Sequence, residues 1–283
     1  MSEQVDSRDV EIRSLNSPDD YYQCVRLQRE IWGQRFTEVV PPTMLKITQK
    51  VGGVAVGAFR PPGDIVGFVY GVSGVRGGRL AHWSHMLAVR VGFENMGLGK
   101  RLKAYQRDLL LELGIEVSYW SYDPLVARNA HLNLNRLGAR TIEYVVDMYG
   151  NDTHSALHSG LGTDRFVVEW ELRHPRVDRA LSGAARDEPA GVADIPIVSS
   201  HAKGGRILPT EGILPEVPTA RIAVPEDIQL VKSKSLDLGL KWRTTTRRAF
   251  LWYLGRRYRV VAFYRDKSSA RCFYVVSREG GWE

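Results

Sequence analysis

The sequence predicts a mixed α/β protein, because two kinds of spacing alternate along its first 173 residues. In some stretches apolar residues recur every three or four positions, which is helical spacing. Short runs rich in β-branched and aromatic residues lie between them, as in strands. In chain order, the predicted elements are a helix at 19–32, strands at 52–59, 65–72 and 80–91, a helix at 100–113, a strand at 117–122, a helix from 123 to about 138, and strands at 141–148 and 166–172.

Local turn signals set several of these boundaries. The letters PPGD at 61–64 separate two strand runs and predict a hairpin. Gly114 is placed to end the helix before it. Asp123 followed by Pro124 predicts a helix start, with the Asp side chain as the N-terminal cap. A capping role is therefore favoured for Asp123 over a role as acid or base.

Composition shifts divide the chain into three segments: a first domain at 1–173, a linker or long surface excursion at 174–218, and a C-terminal α+β extension at 219–283. The middle segment is rich in Gly, Ala, Pro and Ser and has no sustained periodicity. We expect the last segment to pack on the first domain or to add strands to its sheet. Its predicted elements are a helix at 236–254 and strands at 221–224, 258–265 and 271–276.

The overall composition excludes collagen-like, disordered and membrane-spanning proteins. Of the 283 residues, 43% are hydrophobic and 25% are charged, which is ordinary for a globular domain. The first residues carry charges and no apolar run, and later apolar stretches are too short to span a bilayer. We therefore expect no secretory signal and no membrane partner. Cys24 and Cys272 fit neither a disulfide framework nor a zinc site, and a reducing cytoplasm is the simplest location.

Positive charge is concentrated in the last quarter of the chain. The net charge is +7, yet residues 221–283 alone carry 14 basic and 6 acidic side chains. At 240–259 arginines alternate with aromatic residues. Three interpretations stay open: an amphipathic helix with Arg243 and Arg247 solvated, attraction of an anionic substrate or cofactor, or nucleic acid bound through phosphates and stacking. Nucleic acid is the least favoured of the three.

The stretch at 87–103, LAVRVGFENMGLGKRLK, is the one most suggestive of chemistry. A strand ends there, a short loop contains Gly97 and Gly99, and an amphipathic helix follows at once. Glycines let the backbone approach a ligand closely, and the first helical turn offers unpaired N–H groups and the positive end of the helix dipole. The stretch therefore predicts a cradle for a diphosphate. In the alternative interpretation the glycines only shape a tight turn.

This stretch resembles the cofactor motif of the GNAT superfamily of CoA-dependent N-acyltransferases, Val-x-x-x-x-Arg/Gln-x-x-Gly-x-Gly/Ala. Val89, Gly97 and Gly99 lie in register with it. A second motif, a helix with Asn and Ala before a Leu-Gly-Ala ending, is matched at 127–139. One branch of predicted acyltransferases shares further runs with this chain: QREIWG at 28–33, SHML at 84–87, WSYDPLVARNA at 120–130, YG at 149–150, DR at 164–165 and WRTTTR at 242–247.

Two positions depart from the superfamily pattern. Glu94 stands where Arg or Gln is usual, and a carboxylate is a poor neighbour for a diphosphate. Leu134 stands where many members have a tyrosine that protonates the departing thiolate. The resemblance thus leaves this acid unassigned.

The resemblance implies a GNAT-type fold, a mixed and mostly antiparallel sheet flanked by helices, with acetyl-CoA or another acyl-CoA as co-substrate and no metal. It also implies that backbone groups bind the acyl carbonyl and the diphosphate, while two asparagines contact the pantetheine arm. The candidate cofactor-binding residues are Leu87, Ala88, Val89, Asn95, Met96, Gly97, Leu98, Gly99, Lys100, Asn129 and Asn133.

Three side chains are candidates for catalysis. His85 could accept the proton of an amine directly or through water, since imidazole titrates near neutral pH. In the alternative interpretation His85 is a half-buried strand residue bonded to a backbone carbonyl. Ser84, on the other face of the same strand, and Tyr149, beside Gly150, are weaker candidates.

The resemblance implies transfer of an acyl group, acetyl in the simplest case, to the amine of a small molecule, with amino acids among the acceptors. Neither cysteine lies in the motif region, which favours direct attack over a covalent enzyme intermediate. A homodimer is compatible with the resemblance. The alternatives are a GNAT-like binding module without catalysis, or a nucleic-acid binder acting through the basic C-terminal part.

Overall fold

The computed structural model describes residues 9–150, 160–183, 191–203, 206–266 and 271–279. Its largest sheet has seven strands in the order β1-β2-β3-β4-β5-β7-β6. These strands are β1 Glu11–Ser14, β2 Val54–Arg60, β3 Asp64–Arg76, β4 Arg79–Val89, β5 Val117–Tyr122, β6 Arg140–Val145 and β7 Arg165–Glu171.

The pairing of this sheet agrees with the predicted fold class. The first four strands pair antiparallel, each with the next, and β4 then pairs parallel with β5. A mixed, mostly antiparallel sheet with helices around it is therefore confirmed. The short strand β1 was not predicted, because four residues carry too little alternation to stand out.

Helices connect and flank the strands. They are α1 Pro18–Trp32, α2 Pro42–Lys50, α3 Leu98–Glu112, α4 Ala127–Ala130, α5 Pro175–Ser182, α6 Ile228–Lys234 and α7 Leu236–Leu254. A π-helical turn, His131–Arg136, continues α4. None of the helices that the structure describes has both the length and the apolar character needed to cross a bilayer.

The predicted helix start at Asp123 is wrong by four residues. The Asp123 carboxylate accepts the amide of Leu125 at 2.8 Å, which closes a turn, and α4 begins only at Ala127. Asp-Pro is a signal for turns as well as for helix starts, and here the turn prevails.

The chain forms two compact units. Among the described residues, unit 1 comprises 9–120 and 169–181. Its core is a continuous apolar cluster in which Leu27 of α1 and Leu45 of α2 join Phe68 of β3 and Met86 of β4. At about 1.5–3 kcal/mol for each fully buried large apolar side chain, this cluster anchors both helices to the sheet.

Unit 2 comprises the described residues of 121–150, 160–168 and 182–279. The C-terminal strands form a sheet of their own instead of extending the large sheet, in the order β10 (Thr219–Val224), β12 (Arg271–Ser277) and β11 (Arg259–Asp266). Within the segment predicted as a linker, two short strands pair as a hairpin. These two strands are β8 Ser200–Lys203 and β9 Arg206–Pro209.

An aromatic cluster forms the core of unit 2. Phe166 of β7, Phe250 of α7 and Tyr274 of β12 meet in edge-to-face contacts with ring centroids 4.7–5.5 Å apart. These units do not coincide with the segments 1–173, 174–218 and 219–283, which stay a proposal for how the chain is organised.

Candidate active site

In unit 1, β4 leads into a loop whose backbone has an unusual shape. After Val89, the amide of Arg90 donates to the carbonyl of Val66 at 2.8 Å, which holds the start of the loop to β3. Asn95 and Gly97 then adopt positive φ angles of 62° and 76°. Left-handed residues placed between right-handed ones turn successive N–H groups toward the same side, and this arrangement binds anions.

The loop ends at the N-terminus of α3, with Gly97 as the N-cap residue. The first bond of the helical ladder runs from the amide of Arg101 to the carbonyl of Gly97, so the ladder does not reach the amides of Leu98 and Gly99. A Cβ added to Gly97 would meet nothing within 4 Å, which shows open space beside this backbone. The geometry thus suits a diphosphate at the helix N-terminus.

The charged side chains around this loop occupy different positions. Arg101 donates from Nη2 to the carbonyl of Val10 at 2.6 Å, so its guanidinium is held by the start of β1. Glu94 is exposed, and Lys100 is half-buried. The backbone is therefore the main candidate for holding a ligand here. The cofactor assignments of this stretch all stay predictions: Leu87, Ala88, Val89, Asn95, Met96, Gly97, Leu98, Gly99 and Lys100.

The second half of β4 has only one paired side. Within residues 79–122, all of which the structure describes, β4 pairs with β5 only at His82 with Ser118 and at Trp83 with Tyr119. From residue 84 onward β4 continues with β3 alone. The other edge of the backbone at 84–89 is therefore not paired with a described strand, and the predicted acyl-binding residues 87–89 lie on this stretch.

His85 is the extra residue of a β-bulge at the start of this stretch. Tyr70 pairs with Met86 and Gly71 pairs with Ser84, so His85 has no counterpart on β3. Bulges re-aim the side chain that they carry and are common beside active sites.

The environment of His85 keeps its imidazole neutral. The ring lies edge-on to Tyr70, with centroids 6.2 Å apart, and the Tyr70 hydroxyl is 2.9 Å from the Thr48 hydroxyl. Partial burial lowers the pKa of His85, while the charge of Glu38 acts in the opposite direction. A half-buried histidine is what both interpretations of His85 expect, so its role as base stays a prediction.

Ser84 is held in a buried polar network behind β4. Its hydroxyl donates to Oε1 of Gln106 at 3.0 Å, and the Lys103 ammonium donates to the same oxygen at 2.8 Å. Lys103 is fully buried, and its Nζ lies 3.6 Å from the ring centroid of Trp120 and 5.2 Å from that of Trp170. Burial lowers the pKa of Lys103 well below its usual value.

The same network fixes the tautomer of His82. Ser73 donates its hydroxyl proton to the Gly52 carbonyl, so it accepts from Nδ1 of His82 at 3.0 Å. Nε2 of His82 then accepts from the Gln106 amide at 3.0 Å. Both ring nitrogens are satisfied in the neutral form. Burial, assisted by the charge of Lys103, lowers the pKa of His82 to about 3.

Sequence patterns missed Lys103 and Gln106. Both lie on the buried face of α3, in line with the buried residues Leu98, Leu102 and Leu110. Polar residues at core spacing are the signal that could have revealed this network.

In unit 2, Tyr149 lies in a cluster of polar side chains. Its hydroxyl is 2.9 Å from the Ser121 hydroxyl, and the Arg165 guanidinium stands 5.3 Å from its ring centroid. Tyr149 thus lies next to polar side chains, and its catalytic role stays a prediction. Asn133 is buried in the π-helical turn, while Asn129 is half-buried in α4. Their contact with a cofactor also stays a prediction.

The interpretation with solvated arginines is wrong for Arg243, which is buried, whereas Arg247 is 30% exposed and also paired with carboxylates. Arg243 is 3% exposed; its Nε donates to the Leu161 carbonyl at 2.9 Å and its Nη2 donates to the Asp123 carboxylate at 2.6 Å. Arg247 donates from Nε to Asp164 at 2.8 Å and from Nη2 to Asp147 at 3.1 Å. Both arginines are thus engaged by carboxylates of unit 2.

No group of metal-binding side chains occurs among the described residues. No family model matches the sequence, and no curated protein does.

Solved structures of three acetyltransferases are similar to this chain. One is the acetyltransferase of the GNAT family from Streptococcus pneumoniae, with 16% identity, a TM-score of 0.45, and coverage of 56% of this chain and 98% of that one. The ribosomal-protein-S18-alanine N-acetyltransferase from Escherichia coli has 14% identity, a TM-score of 0.45, and coverage of 58% and 95%. The aminoglycoside 6'-acetyltransferase type Ii has 17% identity, a TM-score of 0.46, and coverage of 58% and 98%.

Proposed function

We propose that this chain is an N-acyltransferase that moves an acyl group, acetyl in the simplest case, from coenzyme A to the amine of a small molecule. One observation carries the proposal: the half-paired end of β4 runs directly into a left-handed loop and the N-terminus of α3. The open strand edge offers backbone groups to a thioester carbonyl, and the loop with the helix N-terminus offers backbone amides to a diphosphate.

The backbone supplies the binding groups in this proposal. Amides at 97–99 hold the diphosphate, and the open edge of β4 at 87–89 receives the acyl carbonyl. Coenzyme A itself supplies the activated thioester. Gly97 suits this role because its φ of 76° favours glycine and its surroundings are open.

His85 is the proposed base. The amine nitrogen attacks the carbonyl carbon, the carbon–sulfur bond breaks, and the amine proton passes to the neutral imidazole. A lowered pKa keeps this imidazole in its accepting form at neutral pH. Leu134, which is buried and apolar, supplies no proton to the thiolate, and a thiolate leaves readily without one.

Direct transfer is favoured because the cysteines are unsuited to carry an acyl group. Both are buried, and burial raises the pKa of Cys24 to about 12 and that of Cys272 to about 11. Thiols with such pKa values stay protonated and are poor nucleophiles at neutral pH.

The test of binding compares two glycines with similar backbones. Gly97→Val and Gly78→Val place the same side chain at φ angles of 76° and 78°, in both cases with nothing within 4 Å of the new Cβ. Gly78 lies in the turn between β3 and β4, so its variant is the matched control for strain. Titration of acetyl-CoA by calorimetry should give roughly hundredfold weaker binding for Gly97→Val alone, since two or more diphosphate hydrogen bonds are lost. Equal affinities in both variants would remove the loop from the site.

Catalysis is tested separately with a panel of amines, amino acids among them, and acetyl-CoA or succinyl-CoA, read by release of free thiol. Turnover with one amine supports the proposal. Tight acetyl-CoA binding without turnover across the panel would favour a binding module of the same fold. If only nucleic acid raises the melting temperature, and the increase becomes smaller as salt is added, the basic C-terminal part would be favoured as the functional surface.

A further inference from the structure

The large sheet is covered by different helices on its two faces within unit 1. On β3, a Cβ added to Gly67 would meet Leu102 of α3 at 3.3 Å. The next residue, Phe68, lies in the apolar cluster with Leu27 of α1 and Leu45 of α2. Since successive residues of a strand point to opposite faces, α3 covers one face of the sheet, and α1 and α2 cover the other.

Strand β4 changes the facing of its side chains at the β-bulge. On a regular strand, every second residue points to the same face. His82 and Ser84 both point toward α3, because their side chains bond to Gln106. Met86 follows two residues after Ser84, yet it lies in the apolar cluster with α1 and α2. The extra residue of the bulge, His85, accounts for this change of face.

The position of the bulge decides where the His85 ring points. In the structure His85 has no partner on β3, and its ring lies beside that of Tyr70, which belongs to the apolar cluster. If Ser84 were the extra residue instead, His85 would take its place opposite Gly71. The imidazole would then point toward α3, as the Ser84 side chain does in the structure.

The Gln106 side chain opposes this slip of the bulge. Its Oε1 accepts the Ser84 hydroxyl at 3.0 Å, and its amide donates to Nε2 of His82 at 3.0 Å. Two side chains of β4 just before the bulge are thus bonded to one residue of α3. All three groups are buried, so a slip that broke the Ser84 bond would leave polar atoms without partners in the interior.

We infer that Gln106 is a positioning residue that fixes the bulge at His85 and holds the imidazole beside Tyr70. The orientation itself does not depend on the activity of the protein, whereas its effect on the rate rests on the proposed function, in which His85 is the base. Gln106 bonds to β4 at residues 82 and 84, ahead of the proposed acyl-binding residues 87–89. Loss of its side chain should therefore change kcat and leave the affinity for acetyl-CoA.

The orientation is measured without acyl-CoA, by the nuclear Overhauser effect between the ring protons of His85 and Tyr70. The protein is deuterated except at histidine and tyrosine, and the signal is assigned by its loss in His85→Gln. We expect Gln106→Met to lose this signal and Ser84→Ala, which removes one of the two bonds to β4, to weaken it. Lys103→Met, on the same helix, removes a neighbouring bond to Gln106 but leaves both bonds to β4, and should keep the signal.

The rate gives a second readout, which a purely structural role of Gln106 would not move. Gln106→Met should lower kcat about ten- to hundredfold, with the Kd of acetyl-CoA within about twofold, because the base is displaced while the binding groups stay. A full signal in Gln106→Met overturns the inference. If that variant does not fold, a full signal in Ser84→Ala overturns it, and so does loss of the signal in Lys103→Met.

Failure of the proposed function has a different signature. Loss of the signal in Gln106→Met with an unchanged kcat would confirm the orientation and exclude His85 as the base. If the wild type neither binds acetyl-CoA nor transfers an acyl group, the proposed function fails, and the signal between His85 and Tyr70 still decides whether Gln106 positions the imidazole.

Discussion

Replacing His82 with glutamine is expected to flatten the dependence of folding stability on pH. In the folded protein His82 is fully buried and neutral, with Nδ1 donating to Ser73 and Nε2 accepting from Gln106. In the unfolded chain the same imidazole is exposed and protonates readily. Acid should therefore favour the unfolded state through this one side chain.

The size of the effect follows from the two pKa values. Burial lowers the pKa of His82 from 6.5 to about 3. Above pH 6.5 neither state binds the proton, and the stability is fully present. Between pH 6.5 and 3 only the unfolded state binds it, so stability falls by about 1.4 kcal/mol per pH unit. At pH 4 the accumulated loss is about 3 kcal/mol, a large share of a typical domain's stability.

Urea denaturation followed by circular dichroism, at intervals from pH 7 to 4, measures this slope. Between pH 6.5 and 4, the free energy of unfolding of His82→Gln should fall by about 1.4 kcal/mol less per pH unit than that of the wild type, whatever its value at pH 7. His174→Gln, at an exposed histidine, is the matched control for replacing one imidazole by an amide. Identical slopes for wild type and His82→Gln would refute the assignment of a buried neutral imidazole.

Three further outcomes are expected. Arg247→Leu should lower the free energy of unfolding, measured by urea denaturation, by about 3–5 kcal/mol, because it leaves the Asp164 carboxylate buried without its cation. Arg248→Leu, at an exposed position of α7, should lower it by less than about 1 kcal/mol. Similar losses for both variants would show that the ion pairs of Arg247 do not stabilise the fold. Lys103→Met should change the free energy of unfolding by no more than about 1 kcal/mol, because the cost of desolvating the ammonium offsets its one hydrogen bond and two ring contacts. A loss above about 3 kcal/mol would contradict this. His85→Gln should lower kcat about a hundredfold or more, with the dissociation constant of acetyl-CoA within about twofold. Protonation of the His85 imidazole should reduce the wild-type rate only below pH 6.5, because burial lowers the pKa of this base, and unchanged turnover would exclude His85.

Helices and strands were predictable where buried apolar residues recur at one regular spacing along the chain. The spacing of apolar residues predicts a helix at 236–254, and α7 spans Leu236–Leu254. The PPGD hairpin is present between β2 and β3. The Asp123 start failed because the same dipeptide also closes a turn, and only tertiary contacts such as the Arg243 pair decide between them.

The candidate cofactor loop was predictable because main-chain groups form it and glycine marks their shape locally. The buried polar groups were not. Patterns assign polar residues to the surface, yet Lys103 and Gln106 lie inside because they satisfy each other and His82. Arg243 and Arg247 find their carboxylates 83 to 120 residues earlier in the chain, a separation that no local spacing reveals.

The ion pairs between α7 and carboxylates earlier in the sequence limit where the chain can be truncated. An excised fragment ending at residue 173 would retain Asp123 and Asp164 but lose the guanidiniums that neutralise them. Phe166 would also lose Phe250 and Tyr274 from its surroundings. Helix α7 and strand β12 thus support the described residues of 121–168, and expression experiments should begin with the whole 283-residue chain.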